Sequence, residues 1–147
     1  MAATSVSRSN LCQGAVYLLV GLLWGPAIPA TPFPRLGLGA HLQLTTHGVM
    51  FLVAGLVISH LGVRAGSLAC RILVLGPWLT WPVMLTEIAN AFWGTRKMLP
   101  IAAAQAGAPG AAAWQEGLVT ATHAFGALVL IVYWATILRL LLATPAE

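Results

Sequence analysis

Residues 41–61 read HLQLTTHGVMFLVAGLVISHL and contain no aspartate, glutamate, lysine or arginine. A helix needs about 20 mostly apolar residues to cross a bilayer, so this stretch is predicted to span a membrane. His41 opens the stretch, and an imidazole at the mouth of a membrane helix costs free energy unless it has a partner. Imidazole is also among the best side chains for holding a metal or haem iron, which makes His41 the first candidate functional residue.

Three further apolar runs flank this stretch, and they predict spans at about 11–28, 67–93 and 116–143. The chain is 59% hydrophobic and 7% charged, whereas soluble domains carry about 25% charged residues. These features predict an all-α fold, an integral membrane four-helix bundle in which residues 1–147 form a single transmembrane domain. The net charge of +4 is too sparse for a nucleic-acid surface, so the predicted partner is the lipid bilayer and not a nucleic acid.

An even number of spans places both termini on one side of the membrane. The first run is long for a signal peptide and three more spans follow it, so we expect it to be retained. Basic residues favour cytoplasmic termini, with four on the terminal side against three on the other. The two groups are Arg8, Arg64, Arg71 and Arg139, and Arg35, Arg96 and Lys97.

Glycines and prolines shape two of the spans. Gly14, Gly21 and Gly25 recur on one side of the first span, which predicts close approach of another helix, most simply within the same chain. Pro77 and Pro82 are predicted to kink the third span, because proline removes a backbone donor.

A few polar side chains interrupt the apolar spans. Thr80 and Glu87 fall on one helical face with Met84 between them. Glu87 is the single acid deep in a span, and two interpretations stay open: a proton donor or partner of a histidine, or a structural hydrogen bond to another helix. For His123 we expect an interhelical hydrogen bond.

His41 and His47 are six residues apart, which places them about 240° apart around a regular helix. They therefore cannot both ligate one small metal ion from the same helix. For His41 two interpretations remain at this point, ligation of haem or metal and a capping or interfacial imidazole.

Several segments resemble the hydroxylaminobenzene mutases, small four-helix membrane proteins related to styrene oxide isomerase. Residues 34–42, PRLGLGAHL, resemble the entry to the second helix of that family, and residues 76–81, GPWLTW, resemble its Gly-x-Trp-x-Asn-Trp motif. Trp93-Gly94, residues 99–102 and residues 114–116 follow in the family order. The resemblance covers the chain from about Pro34 to the C-terminus.

The resemblance implies that His41 is the axial ligand of a haem b, held where protomers meet in a homotrimer. It further implies a membrane-embedded isomerase that rearranges a small lipophilic aromatic hydroxylamine or epoxide without net redox change. His47, Thr80 and Glu87 are then the predicted catalytic residues. Three positions depart from the family: His47 and Thr80 replace asparagines, and Met84 stands where styrene oxide isomerase has a tyrosine.

Two alternatives stay open beside the isomerase. One is a non-catalytic haem-binding membrane protein, an electron carrier or sensor, in which His41 acts with His47 or His123. The other is a structural four-helix oligomer without a cofactor, in which the histidines only make hydrogen bonds between helices.

Overall fold

The computed structural model describes residues 3–61 and 67–143, and these residues form α-helices without strands. Four helical stretches are long and apolar enough to cross a membrane, namely Thr4–Ala30, Pro34–His60, Leu68–Trp93 and Ala113–Ala143. The predicted all-α fold with four spans is thereby confirmed. In chain order the helices are α1 (Ala3–Trp24), α2 (Pro34–Leu61), α3 (Ser67–Leu79), α4 (Trp81–Trp93), α5 (Pro100–Gln105) and α6 (Ala113–Ala143).

Three helices begin earlier than the apolar runs indicate, α6 by three residues and α1 and α2 by about two turns each. α1 starts at Ala3 and continues after Trp24 as a 3-10 helix, Gly25–Ala30. α2 starts at Pro34, where a fixed φ favours the first helical position, so His41 lies about two turns inside the helix and not at its mouth. Residues 62–66, which include Arg64, lie outside the described residues.

The third span is broken at Thr80, between α3 and α4. Pro82 has no N–H to offer the carbonyl of Trp78, and its ring crowds that carbonyl, so the regular helix cannot continue. The predicted kink is therefore present, and it takes the form of a break that points the Thr80 side chain into the bundle with no exposed surface.

α1 and α2 form the most closely packed helix pair of the bundle. A Cβ built on Gly14 would lie 2.7 Å from both the Gly48 carbonyl oxygen and the Leu52 nitrogen. A Cβ built on Gly48 would lie 2.6 Å from Cγ of Leu18. The predicted close approach is thus made within the chain, and only glycine fits at these two contacts.

Asn10 ties three helices together at one end of the bundle. Its Nδ2 donates to the carbonyl of Leu73 at 3.0 Å, and the hydroxyl of Tyr133 donates to its Oδ1. The start of α1, the start of α3 and the C-terminal part of α6 therefore lie at the same end. The hydroxyl of Ser7 on α1 donates to the Gly55 carbonyl at 2.8 Å, which places the C-terminal part of α2 at this end of the bundle as well.

Glu116 organises the connection between α4 and α6. Its carboxylate is 4% exposed and accepts the backbone N–H groups of Arg96, Lys97 and Ala111 at 2.9–3.2 Å. A carboxylate in the first turn of α6 is also favoured by the helix dipole. This one side chain therefore fixes both ends of a loop that is rich in alanine, glycine and proline.

Glu116→Gln is expected to lower the free energy of unfolding by about 1–3 kcal/mol, because an amide nitrogen cannot accept a hydrogen bond and leaves a backbone N–H unpaired. Thermal unfolding in detergent would measure the loss, and limited proteolysis would show earlier cleavage between α4 and α6. Gln115→Ala is the control, since that side chain makes one exposed bond, to the N–H of Ala112. Equal stability of the Glu116→Gln variant and the wild type would contradict the assigned role.

Candidate functional site

His41 is held in one orientation by a backbone carbonyl of α1. Its Nδ1 lies 2.8 Å from the carbonyl oxygen of Gly21, and a carbonyl only accepts, so Nδ1 carries the proton. Nε2 of the neutral ring then presents a lone pair, and no described residue makes a hydrogen bond with it. Metal-bound histidines usually donate their second ring N–H in this way, which fixes the tautomer and orients the ring.

The half-buried His41 ring borders an exposed apolar stripe of α2. The stripe is centred about 80° around the helix from His41 and consists of Leu38, Leu42, Val49, Val53 and Leu56. No group of three or more His, Cys, Asp or Glu side chains that could hold a bare metal ion occurs in residues 3–61 and 67–143. A haem needs only an axial ligand from the protein and an apolar surface for its ring, and His41 with its stripe fits both needs.

His47 lies on the opposite, inward face of α2. Its Nδ1 donates to the Gln43 carbonyl at 2.8 Å, and its ring centroid lies 6.2 Å from that of Tyr17 and 6.1 Å from that of Phe51. α2 is helical through both histidines, so the two imidazoles of one protomer point in different directions, as the spacing predicts. Nε2 of neutral His47 is a hydrogen-bond acceptor, not a donor like the N–H of the family's amide.

Tyr17 connects His47 to Thr80. The tyrosine hydroxyl lies 2.8 Å from the Thr80 hydroxyl, and both hydroxyls can donate to the Pro77 carbonyl at 2.9 and 3.0 Å. Trp81 packs on the tyrosine with ring centroids 4.2 Å apart. Tyr17 lies outside the predicted set of site residues, and the signal that points to it is a phenol within an apolar run.

Glu87 lies apart from these residues and pairs with His123 of α6. Glu87 Oε1 is 2.9 Å from Nε2 of His123, and the side chains are 0% and 9% exposed. Nδ1 of His123 donates to the Val119 carbonyl at 2.7 Å, while Nε2 faces the Glu87 carboxylate at ion-pair distance without hydrogen-bond geometry. His123 thus makes the interhelical contact predicted for it. Glu87 Oε2 has no hydrogen-bond donor among the described residues and lies against α2 at Gly39.

The predicted site residues therefore occupy three places in the fold. His41 borders the exposed apolar stripe of α2. His47 and Thr80 both contact Tyr17, and Glu87 on α4 contacts α6. Met84 is fully buried on the same face as Thr80 and Glu87, in agreement with the helical spacing.

The sequence profile of styrene oxide isomerase matches residues 6–142, almost the whole chain. The chain belongs to the styrene oxide isomerase family. Hydroxylaminobenzene mutase HabB of Ectopseudomonas oleovorans is 34% identical over 145 residues, which cover 97% of this chain and 85% of HabB. Hydroxylaminobenzene mutase HabA of the same organism is 36% identical over 96 residues, covering 63% of this chain and 69% of HabA. No solved structure matches the chain significantly.

Membership of the styrene oxide isomerase family confirms the resemblance read from the motifs and extends it. The family match includes most of α1, whereas the motifs begin at Pro34. This extension brings Gly21 and Tyr17 within the matched region, and these residues contact His41 and His47, respectively.

Proposed function

We propose that the protein is a membrane-embedded, haem-b-dependent isomerase that rearranges a small aromatic hydroxylamine or epoxide without net redox change. The observation that carries the proposal is the bond from His41 Nδ1 to the Gly21 carbonyl, which leaves Nε2 free beside an exposed apolar stripe. The family membership and the names of the two mutases support the reaction class.

Haem iron, when bound, supplies a Lewis acid for the substrate oxygen. The chain's own contribution begins with His41, whose ring is oriented before any ligand arrives. His47 faces away from the His41 stripe in one chain, so its Nε2 would accept an N–H or O–H of a substrate bound at the haem of a neighbouring protomer in the proposed oligomer. The aromatic side chains packed around the His47 ring, Tyr17 and Phe51, shield it from water. Because one substrate rearranges internally, no electron-transfer partner is needed.

Thr80 and Tyr17 act as positioning residues in this proposal. Their hydroxyls bind each other and the Pro77 carbonyl, so they hold the face of Tyr17 against the His47 ring. Glu87 and His123 contact each other between α4 and α6, within the bundle and shielded from solvent. We further propose a homo-oligomer, a trimer by analogy with the family, in which the exposed stripe of α2 is covered by a neighbouring protomer.

One observation favours a second candidate, a non-catalytic haem-binding protein. His47, like His41, donates Nδ1 to a backbone carbonyl and leaves Nε2 without a described partner. His41 of one protomer and His47 of a neighbour could then hold one haem iron together, which would leave that iron no open position for a substrate; alternatively, His47 could hold a second iron.

His41→Ala is expected to abolish haem binding, because the alanine removes the proposed axial ligand. The measurement is the absorption spectrum of protein purified in detergent after expression with ample haem. The wild type should show a Soret band, and membranes that contain it should convert phenylhydroxylamine and styrene oxide. The variant should lose both the Soret band and this conversion. His60→Ala is the matched control, since His60 is exposed near the end of the same helix.

The outcomes separate the candidates. A wild-type protein without a Soret band would overturn both haem proposals and favour a structural oligomer. A low-spin bis-histidine spectrum that His47→Ala converts to high spin, with no turnover of either substrate, would favour the haem-binding protein over the isomerase.

A further inference from the structure

A groove runs along the outer surface between α3 and α6. Its inner part encloses about 420 Å³ and is lined by Leu75 and Leu79 of α3 and Leu128 and Val132 of α6. An adjoining part of about 380 Å³ lies nearer the helix ends and includes Thr136 of α6. The two parts share Leu68 and Ile72, so they form one continuous depression, here called the α3–α6 groove.

The α3–α6 groove has the length of a hydrocarbon chain. Leu68 at the start of α3 lines it with Ala143 at the end of α6, while Leu79 lines it with Leu128, so the helices run antiparallel. From Leu128 to Arg139 an α-helix rises about 16 Å, close to the hydrocarbon thickness of about 15 Å in one leaflet. The groove walls are aliphatic over nearly all of this length.

Two arginines line the groove near the start of α3 and the end of α6. Arg71 lines the inner part and Arg139 the adjoining part, and both side chains are exposed. They lie at the end of the bundle that Asn10 ties together. Neither has a carboxylate partner among the described residues, because Glu87 pairs with His123 and Glu116 is taken up by backbone N–H groups.

We propose that the α3–α6 groove binds an anionic phospholipid, with an acyl chain between the helices and the phosphate at Arg71 and Arg139. Guanidinium groups bind phosphate through paired N–H donors, and basic pockets between membrane helices select anionic head groups. A second copy of this chain is the less favourable occupant, because it would bring a net charge of +4 to a basic rim. The proposal rests on the membrane insertion proposed above and on neither haem nor catalysis.

The test measures lipid affinity by native mass spectrometry and by binding to vesicles of phosphatidylglycerol or phosphatidylcholine. Wild-type protein should prefer phosphatidylglycerol, and Arg71→Gln/Arg139→Gln should lower that preference about tenfold or more, because the charge-assisted bonds of both guanidinium groups to the phosphate are lost. Arg8→Gln is the matched control at the same end of the bundle, and it should retain most of the preference. Val132→Trp, which fills the groove at a partly exposed position, should weaken binding of both lipids while the arginines remain.

Several results would overturn the lipid site. These are equal affinity for the two lipids, an equal loss in Arg8→Gln, and a change of oligomeric state in the double variant, which would assign the groove to a second copy. If the wild-type protein does not migrate with vesicles of either lipid in a flotation assay, membrane insertion and the lipid site are both overturned. Insertion without lipid preference would overturn the lipid site alone.

Discussion

His123→Leu is expected to destabilise the protein by about 3–5 kcal/mol, because it leaves the carboxylate of Glu87 buried without its partner. Glu87 is 0% exposed, its Oε1 has the imidazole at 2.9 Å, and its Oε2 has no described donor to compensate. Water cannot solvate the stranded group from inside the bundle. Unfolding in detergent, by heat or by titration with a denaturing detergent, would measure the loss of stability.

Two variants make this expectation specific to the pair. Glu87→Met/His123→Leu removes both partners and should recover most of the lost stability, since apolar replacement of a buried pair is often neutral or better. His60→Leu makes the same substitution at an exposed position near the end of α2 and should change little. A double variant no more stable than His123→Leu would show that Glu87 and His123 do not form a coupled pair.

The sequence carries enough information for the helices because hydropathy and proline positions act locally. Four apolar runs predict four spans, and Pro82 predicts the break at Thr80 through the donor it lacks. The start of α2 is different, because PRLGLGA is weakly apolar and reads as a connection. In the structure this segment is helical from Pro34 and packs against α4 at Ala91 and Glu87, which places His41 about two turns inside the helix.

The arrangement of the site depends on contacts between distant residues, and these are not local. Helical spacing alone separates His41 from His47 and aligns Thr80 with Glu87. It does not reveal that Tyr17 joins His47 to Thr80, since that contact depends on how α1 crosses the bundle. Nor does it reveal that a carbonyl of Gly21 fixes the His41 tautomer.

In the proposed isomerase, His47 stands where the resemblance to the family implies an asparagine, and this changes what α2 would offer to a substrate. An amide both donates and accepts, whereas neutral His47 has its Nδ1 proton committed to the Gln43 carbonyl and can only accept at Nε2. A substrate that brings its own N–H or O–H, such as a hydroxylamine, suits this site better than an epoxide, which has no proton to donate. An acceptor at His47 without a donor therefore favours the hydroxylamine over the epoxide among the two substrate classes of the proposed function.

Gly48→Ala is expected to destabilise the bundle by about 1–3 kcal/mol, because the added methyl group overpacks the α1–α2 contact. The new Cβ would lie 2.6 Å from Cγ of Leu18, 2.9 Å from the nitrogen of Leu18 and 3.0 Å from the carbonyl oxygen of Gly14. Two of these three neighbours are backbone atoms, so a change of rotamer cannot relieve the contact. The helices must move apart, and thermal unfolding in detergent would measure the cost.

Gly117→Ala is the matched control, because a Cβ at Gly117 on α6 meets nothing within 4 Å. There the higher helix propensity of alanine should leave stability unchanged or raise it by up to about 1 kcal/mol. The same chemical change is thus expected to have opposite signs at two helical glycines. Because Gly21 lies on α1, separation of α1 from α2 should also lengthen the bond to His41 and weaken any Soret band in the Gly48→Ala variant. Equal effects at the two glycines would contradict the close α1–α2 contact on which the orientation of His41 depends.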